Sequence, residues 1–516
     1  MDPQLTSTRR TLQTLGLVAG PVLALGAWIV LPDSFRSVAG ETVTFSAAGR
    51  ATMALMLWMS AWWLTEAIDI EATALLPLVL LPLMGAATFK KAAASYGDEF
   101  IFLFMGGFIL ALSMQRWGLD RRIALVTLRI VGSGPRAMIL GFMLATGAIS
   151  CFVSNTATAA MMMPVGLSVI DVLLKRKPDG ASHDTADTSS RNFALCLMLG
   201  IAYASSIGGV GTIIGTPPNV FLVGYLREGI DPAYRHEITF VRWLAFGLPM
   251  VAVFLPITWM LLTYVLYPVR MRRLEGGREF VDRELRAMGP MNRGEWITFL
   301  VFMFASALWI SRPWISKWTI GEGDAALQPL RFLTDATIAM LAAMLLFITP
   351  VNWKQRVFTM NWEHARRLPW GILILFGGGL SLAAAIEANG VAEFIGGQTQ
   401  RFAGVPELLL VIIVVTAVVF FSEIASNTAT ATTLIPIFAA MAPGLGVHPY
   451  MLVIPAGLAA SLAFMLPVGT PPNAIVFGTG YVTMGQMVKA GFLLNLIGIV
   501  LITIITYLVI KPMLIG

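Results

Sequence analysis

The sequence predicts an all-α polytopic membrane protein, with eleven transmembrane helices and two re-entrant hairpins arranged as an inverted repeat. Three observations predict it. Of 516 residues, 57% are hydrophobic and 12% charged, with apolar runs near the length that crosses a bilayer. One pattern is written twice: Gly106-Gly107, Ser154-Asn155-Thr156-Ala157-Thr158 and Thr216-Pro217-Pro218-Asn219 return as Gly378-Gly379, Ser426-Asn427-Thr428-Ala429-Thr430 and Thr470-Pro471-Pro472-Asn473. The offset is 272 for Gly106 to Gly378, Gly118 to Gly390, Ser154 to Ser426 and Pro164 to Pro436, and falls to 254 for Thr216 to Thr470. The difference of 18 is the length of the polar stretch Lys175 to Asn192, absent from the second half. Finally, lysines and arginines gather in short loops beside apolar spans.

Taken in order, the first apolar run, 15-32, follows Arg9-Arg10 and reads as a first helix with cytoplasmic positive flanks rather than a cleaved signal, because ten further spans follow it. Spans at 51-67, 72-88 and 98-118 come next. The stretch 137-174 is apolar but interrupted at its centre by Ser-Asn-Thr. Arg116, Arg121, Arg122, Arg129 and Arg136 precede it and Lys175, Arg176, Lys177 and Arg191 follow it, so both ends prefer the cytoplasm and the stretch is a hairpin that re-enters. Spans at 193-227 and 243-267 complete the first half, and spans at 294-312, 333-350 and 369-387, a second hairpin at 407-442, and spans at 450-480 and 486-511 make up the second. With the N-terminus inside, 23 of the 35 lysines and arginines are cytoplasmic, against 12 outside. Five spans and one hairpin per half is an odd number of crossings, so the halves have opposite orientations. The organisation is an N-terminal helix and linker (1-50), a first repeat (51-267), a cytoplasmic connecting segment (268-293) and a second repeat (294-516). The 175-192 insertion reads as a disordered cytoplasmic loop.

Composition excludes a soluble globule. The net charge of +6 is a topology signal and not a nucleic-acid footprint, and two cysteines in apolar segments, Cys151 and Cys196, imply neither a disulfide framework nor a metal cluster. Non-helical backbone inside a bilayer needs protein, water or ligand to satisfy it. Gly208 to Pro218 and Pro467 to Pro472 cannot be continuous helix, because paired prolines remove donors. Two hairpin tips and two broken helices therefore meet near the midplane, offering N-terminal amides to an anion and C-terminal carbonyls to a cation. Asn, Ser and Thr oxygens suit Na⁺, and amides and hydroxyls suit a carboxylate. No Lys, Arg or His occurs in 137-174, 193-226, 402-447 or 449-488, so bound cations and helix dipoles must neutralise an anion held there. That is the logic of cation-coupled anion uptake.

The paired Ser-Asn-Thr and Thr-Pro-Pro-Asn motifs resemble those of the divalent anion/sodium symporter family of di- and tricarboxylate transporters, from about residue 50 to 512. The resemblance implies a homodimer in the cell's inner (cytoplasmic) membrane, with scaffold and transport domains and an elevator-like displacement. It implies a first sodium site of Ser150, Ser154, Asn155 and the Gly215 carbonyl, and a second of Ser422, the Ala425 carbonyl, Asn427 and the Gly469 carbonyl. Substrate carboxylates would rest on Asn155, Thr156, Thr216, Asn427, Thr428 and Thr470, with Ser154, Ser426 and Pro471 at the edges. The expected activity is sodium-coupled uptake of C4-dicarboxylates of the succinate, malate and fumarate class. Alternatives are a sodium-independent dicarboxylate exchanger and a citrate or sulfate symporter of the same family.

Rival readings are weaker. A membrane enzyme needs paired acids, a histidine cluster or an activated nucleophile in the spans, and neither half has one. A channel needs a continuous polar pore, which two hairpin tips obstruct. The twin glycines read as close-packing positions, and Glu423 as a structural hydrogen-bonding acid, since Cys151 holds the matching place.

Overall fold

The computed structural model describes residues 3–132, 134–175, 183–235, 237–271, 277–320 and 327–515. Among them, nine helices are long and apolar enough to cross a membrane. The order opens with α1 (Pro3–Val30), a small antiparallel ribbon (β1 Ser34–Arg36, β2 Thr42–Thr44), α2 (Ala47–Thr65), the short pieces α3 (Ile70–Thr73), α4 (Leu76–Leu83) and α5 (Phe89–Ala94), and α6 (Glu99–Trp117). Then come α7 (Leu119–Val131), α8 (Pro135–Ser150), α9 (Asn155–Lys175), α10 (His183–Gly209), α11 (Pro217–Gly224) and α12 (Phe240–Met260). A wide turn from Leu261 to Leu266 extends α12. The second half holds α13 (Gly277–Met288), α14 (Arg293–Ile315), α15 (Asp335–Ile348), a ribbon (β3 Pro350–Asn352, β4 Val357–Phe358), α16 (Trp362–Ala365), α17 (Trp370–Ala388) and α18 (Val391–Thr399). It closes with α19 (Glu407–Ile424), α20 (Asn427–Leu445), α21 (Tyr450–Ala459), α22 (Pro471–Phe477), α23 (Met484–Ile505) and α24 (Lys511–Leu514).

Local sequence explains the boundaries. Asp98 accepts from the Phe100 amide at 2.9 Å to start α6, and Gly118, at φ 77°, ends it. Its counterpart α17 gives way to α18 through Gly390 at φ 71°. That left-handed conformation is open to glycine and costly for most other residues, which is why both halves keep the glycine. Asn292 with Glu295 and Thr483 with Gln486 form reciprocal capping boxes that open α14 and α23. Pro217 and Pro471 occupy first helical positions, where a missing N–H costs nothing.

Packing relates the halves reciprocally. A Cβ on Gly106 of α6 would lie 2.6 Å from the carbonyl carbon of Ala339 in α15, and one on Gly378 of α17 would lie 2.2 Å from the Ala74 carbonyl oxygen, between α3 and α4. Each twin-glycine helix thus closes on the other half's short helix, the close-packing role expected of these glycines. The same exchange recurs deeper in the protein: α11 packs on α20, and α22 on α9.

Several spans differ from the expectation. The stretch 72-88 is two short pieces, α3 and α4, and 333-350 is a 14-residue helix, α15, because apolar composition sets burial but not the length of unbroken helix. The arms of the second hairpin, 18 and 19 residues, are as long as crossing helices, so length alone does not distinguish a hairpin from two spans. The insertion is shorter than a loop from 175 to 192. Helix continues through Lys175 and resumes at His183, and 176–182 lie outside the described residues.

Candidate substrate and ion site

Both hairpins turn at Ser-Asn-Thr, and both tips face an unwound stretch of their own half. The first tip leaves α8 at Ser150 and enters α9 at Asn155. Ser150 is fully buried, and its hydroxyl lies 2.7 Å from Asn155 Oδ1 and 2.6 Å from the Ser205 carbonyl oxygen. Three oxygens therefore share one proton, a crowding that a small hard cation relieves. The unwound stretch between α10 and α11 closes on this tip. Thr212 Oγ1 donates to the Cys151 carbonyl, a Cβ on Gly209 would sit 2.5 Å from Asn155 Oδ1, and one on Gly215 would sit 2.4 Å from the Gly209 carbonyl and 3.0 Å from that of Cys151. Ser150, Asn155 and Gly215 thus lie around the same tip. Ser154 accepts from the Ala157 amide at 3.3 Å and starts α9.

The second tip repeats the arrangement with its bonds left open. Ser422 and Asn427 stand where Ser150 and Asn155 stand, yet Ser422 Oγ and Asn427 Oδ1 are buried with no hydrogen-bond partner. Buried oxygens without donors cost stability unless a ligand supplies the positive end. Ala425, fully extended between α19 and α20, and Gly469, buried in the loop before α22, complete the group. A Cβ on Gly469 would lie 3.3 Å from both the main-chain oxygen and Oε2 of Glu423.

Glu423 is built into this loop, a role the sequence favoured in kind but not in detail. Its Oε1 accepts from the amides of Phe464 at 2.7 Å and Met465 at 2.9 Å and from Asn495 Nδ2 at 2.7 Å, and its Oε2 accepts from Leu466 N at 3.1 Å. It thereby satisfies the donors freed where α21 unwinds. In the first half Cys151 occupies this position, with its thiol on the Gly208 carbonyl at 3.2 Å.

Sequence reasoning missed two residues altogether. The last residue of each Thr-Pro-Pro-Asn spans its unwound loop: Asn219 Nδ2 donates to the carbonyls of Gly209 at 3.0 Å and Thr212 at 2.8 Å, and Asn473 Nδ2 donates to those of Ala463 and Leu466, both at 3.1 Å. The four acceptors correspond at the offset of 254. Because Gly209 abuts Gly215, each clamp sets a carbonyl beside a predicted ion ligand. The signal was present in the sequence as a motif whose fourth letter had no assigned work.

Of the remaining predicted residues, Thr216, Thr470 and Thr428 are buried, Asn155, Ser154, Ser426 and Asn427 are half-buried, and Thr156 and Pro471 are exposed. Thr470 Oγ1 caps Asn473 N at 3.4 Å, whereas Thr216 makes no side-chain cap and leaves its hydroxyl free. With α22 against α9 and α11 against α20, each Thr-Pro-Pro start belongs to a half-helix that packs on the opposite hairpin. Each tip therefore has beside it the unwound loop of its own half, and each loop starts a half-helix that reaches the opposite hairpin.

Polar helix-hairpin tips facing broken helices inside an apolar bundle are the arrangement of a secondary transporter. The chain belongs to the sodium:sulfate symporter family, whose transmembrane-region model matches residues 42–515. Curated relatives include the sodium-dependent dicarboxylate transporter SdcS of Staphylococcus saprophyticus, 42% identical over 505 residues, covering 97% of this chain and 92% of that protein. SdcS of Staphylococcus aureus is also 42% identical, with 98% and 92% coverage. Among solved structures, the YdaH transporter of Alcanivorax borkumensis superposes with a TM-score of 0.59 at 15% identity over 95% of this chain and 97% of that one, a likeness of fold.

Proposed function

We propose that this protein is a sodium-coupled symporter of C4-dicarboxylates. The observation that carries the proposal is the open second tip: Ser422 Oγ and Asn427 Oδ1, buried and unpartnered, call for a cation, while the segments 137-174, 193-226, 402-447 and 449-488 contain no Lys, Arg or His to hold an anion instead. The relatives at 42% identity, named as sodium-dependent dicarboxylate transporters, support the same substrate class. Sodium is here a transported ion and not a resident cofactor. Ser150, Ser154, Asn155 and the Gly215 carbonyl would hold one ion, and Ser422, Asn427 and the carbonyls of Ala425 and Gly469 another. The dicarboxylate would lie between the tips, on the asparagine amides and on Thr156, Thr216, Thr428 and Thr470. Helix N-termini at α9, α20, α11 and α22 add positive potential where the carboxylates end.

The reading extends to architecture. Eleven crossings with two re-entrant hairpins in two inverted repeats, 51-267 and 294-516, fit the reciprocal packing of α6 on α15 and of α17 beside α4. The N-terminus is cytoplasmic by the charge distribution. A homodimer with scaffold and transport domains moving elevator-fashion is what the family resemblance supports. Sulfate is the second reading, favoured by the family's description. Uptake of labelled succinate, malate, citrate and sulfate into proteoliposomes, with and without a sodium gradient, decides between them: sodium-driven succinate and malate uptake is expected, and sulfate uptake in their place overturns the dicarboxylate assignment.

A further inference from the structure

Two arginines stand apart from their neighbours. On α7, Arg121 pairs with Glu284 at 2.7 Å, Arg122 with Glu295 at 2.7 Å and Arg129 with Asp282 at 3.2 Å. Arg136, in the first turn of α8, and Arg270, beyond the wide turn that extends α12, have no carboxylate partner among the described residues. They line the same cavity, of about 270 Å³, with Gly134, Pro135, Val269 and Met271, and no acid lines it among the described residues.

Arg136 is held in place. Trp259 Nε1 donates to its carbonyl at 2.9 Å, and its guanidinium sits 4.0 Å from the centroid of the Tyr264 ring. Its Nε is buried without an acceptor. A desolvated guanidinium N–H without an acceptor is costly, so the geometry calls for an anionic oxygen. Tyr264 also ties the cavity to the bilayer. Met260 is 45% exposed, Tyr264 48% and Val265 66%, an apolar surface on α12 and its extension. Trp259 meets Tyr264 edge-on in the manner of an interfacial aromatic belt.

We propose that this cavity binds the phosphodiester headgroup of an anionic phospholipid, with its acyl chains along the exposed apolar surface of α12. The headgroup oxygens accept from Arg136 and Arg270, and the site lies on the face that charge asymmetry makes cytoplasmic, where anionic lipids attract basic residues. A lipid there ties the base of the first hairpin to the segment that follows α12. Free phosphate shares the headgroup chemistry but gains nothing from the apolar surface.

The test is thermal unfolding of the purified full-length protein as phosphatidylglycerol is titrated into phosphatidylcholine micelles, with inorganic phosphate as a separate arm. Phosphatidylglycerol should stabilise the protein, and millimolar phosphate should not. The exposed single variant Arg270→Gln should need about 5-fold more phosphatidylglycerol for half the effect, and Arg136→Gln/Arg270→Gln about 30-fold more, at about 1 kcal/mol per basic residue. Arg129→Gln, which removes an already paired charge, should titrate like the parent. An unshifted Arg270→Gln titration, an equal loss in Arg129→Gln, or equal stabilisation by phosphate would each overturn the lipid site.

Discussion

In the proposed symport, Asn155 and Asn427 are the residues that would carry both halves of the coupling. Each amide presents an oxygen where an ion ligand is expected and a nitrogen that can meet a carboxylate. Asn155→Asp and Asn427→Asp keep the oxygen, lose the donor and place a charge beside the dianion, a repulsion of several kcal/mol in a poorly solvated site, on the order expected for buried charges. Both should abolish succinate uptake in proteoliposomes while sodium still shifts the melting temperature. Thr156→Ala and Thr428→Ala should instead raise the succinate KM about 10-fold, the loss of one hydrogen bond to a charged group, with the sodium half-saturation constant little changed. The clamps predict the opposite split. Asn219→Ala or Asn473→Ala removes two bonds to the carbonyls of its unwound loop, so half-saturating sodium should rise about 10-fold while succinate KM at saturating sodium stays within about 2-fold. Equal shifts in both constants would remove the positioning role. Outside the spans, burial pushes the Asp120 carboxyl of α7 up to about 6, partly offset by its bond from the Arg121 amide. A raised folded-state pKa means that the folded protein holds the proton more tightly than the unfolded chain. Stability should therefore fall as pH rises from about 4 to about 6 and level off above, and Asp120→Asn should flatten that slope in thermal melts.

The tip and the unwound loop work as one element, because each satisfies the other's backbone. Glu423 shows the dependence: three amides at 464–466 have lost helical acceptors and find its carboxylate. Glu423→Ala orphans all of them at about 1–3 kcal/mol each and should lower the melting temperature sharply, whereas Glu423→Gln keeps one acceptor oxygen and should fall between. The hairpin reading has its own test. Cysteines at positions 129 and 184 flank the first hairpin and should both be labelled by impermeant thiol reagents from the cytoplasmic side only. Labelling from opposite sides would show a full crossing and end the inverted-repeat reading. That the break near Gly208 to Pro218 exists was legible in its glycines and prolines. That Asn219 and Asn473 hold the two breaks identically was not, because a hydrogen bond to a carbonyl ten residues upstream leaves no mark on composition or periodicity.

For the whole molecule, the expected coupling is strict: replacing sodium by choline or potassium should abolish dicarboxylate uptake, and equal rates in choline would sink the symport proposal. The duplicated motifs with their offsets of 272 and 254 and the scarcity of charge determined by themselves that this is a polytopic membrane protein with two related halves. Hydropathy and side-chain chemistry are local properties, and the sequence displays them directly. Tertiary structure alone decided which span breaks into α3 and α4, that Gly106 meets Ala339 while Gly378 meets Ala74, and that the two tips differ. Ser150 is bonded where Ser422 is open, and the Glu423 carboxyl takes up the freed amides of its loop where Cys151 reaches only the Gly208 carbonyl. Those outcomes depend on contacts between residues tens to hundreds of positions apart, where close packing and the need to satisfy every buried backbone group select one partner among many that local sequence allows.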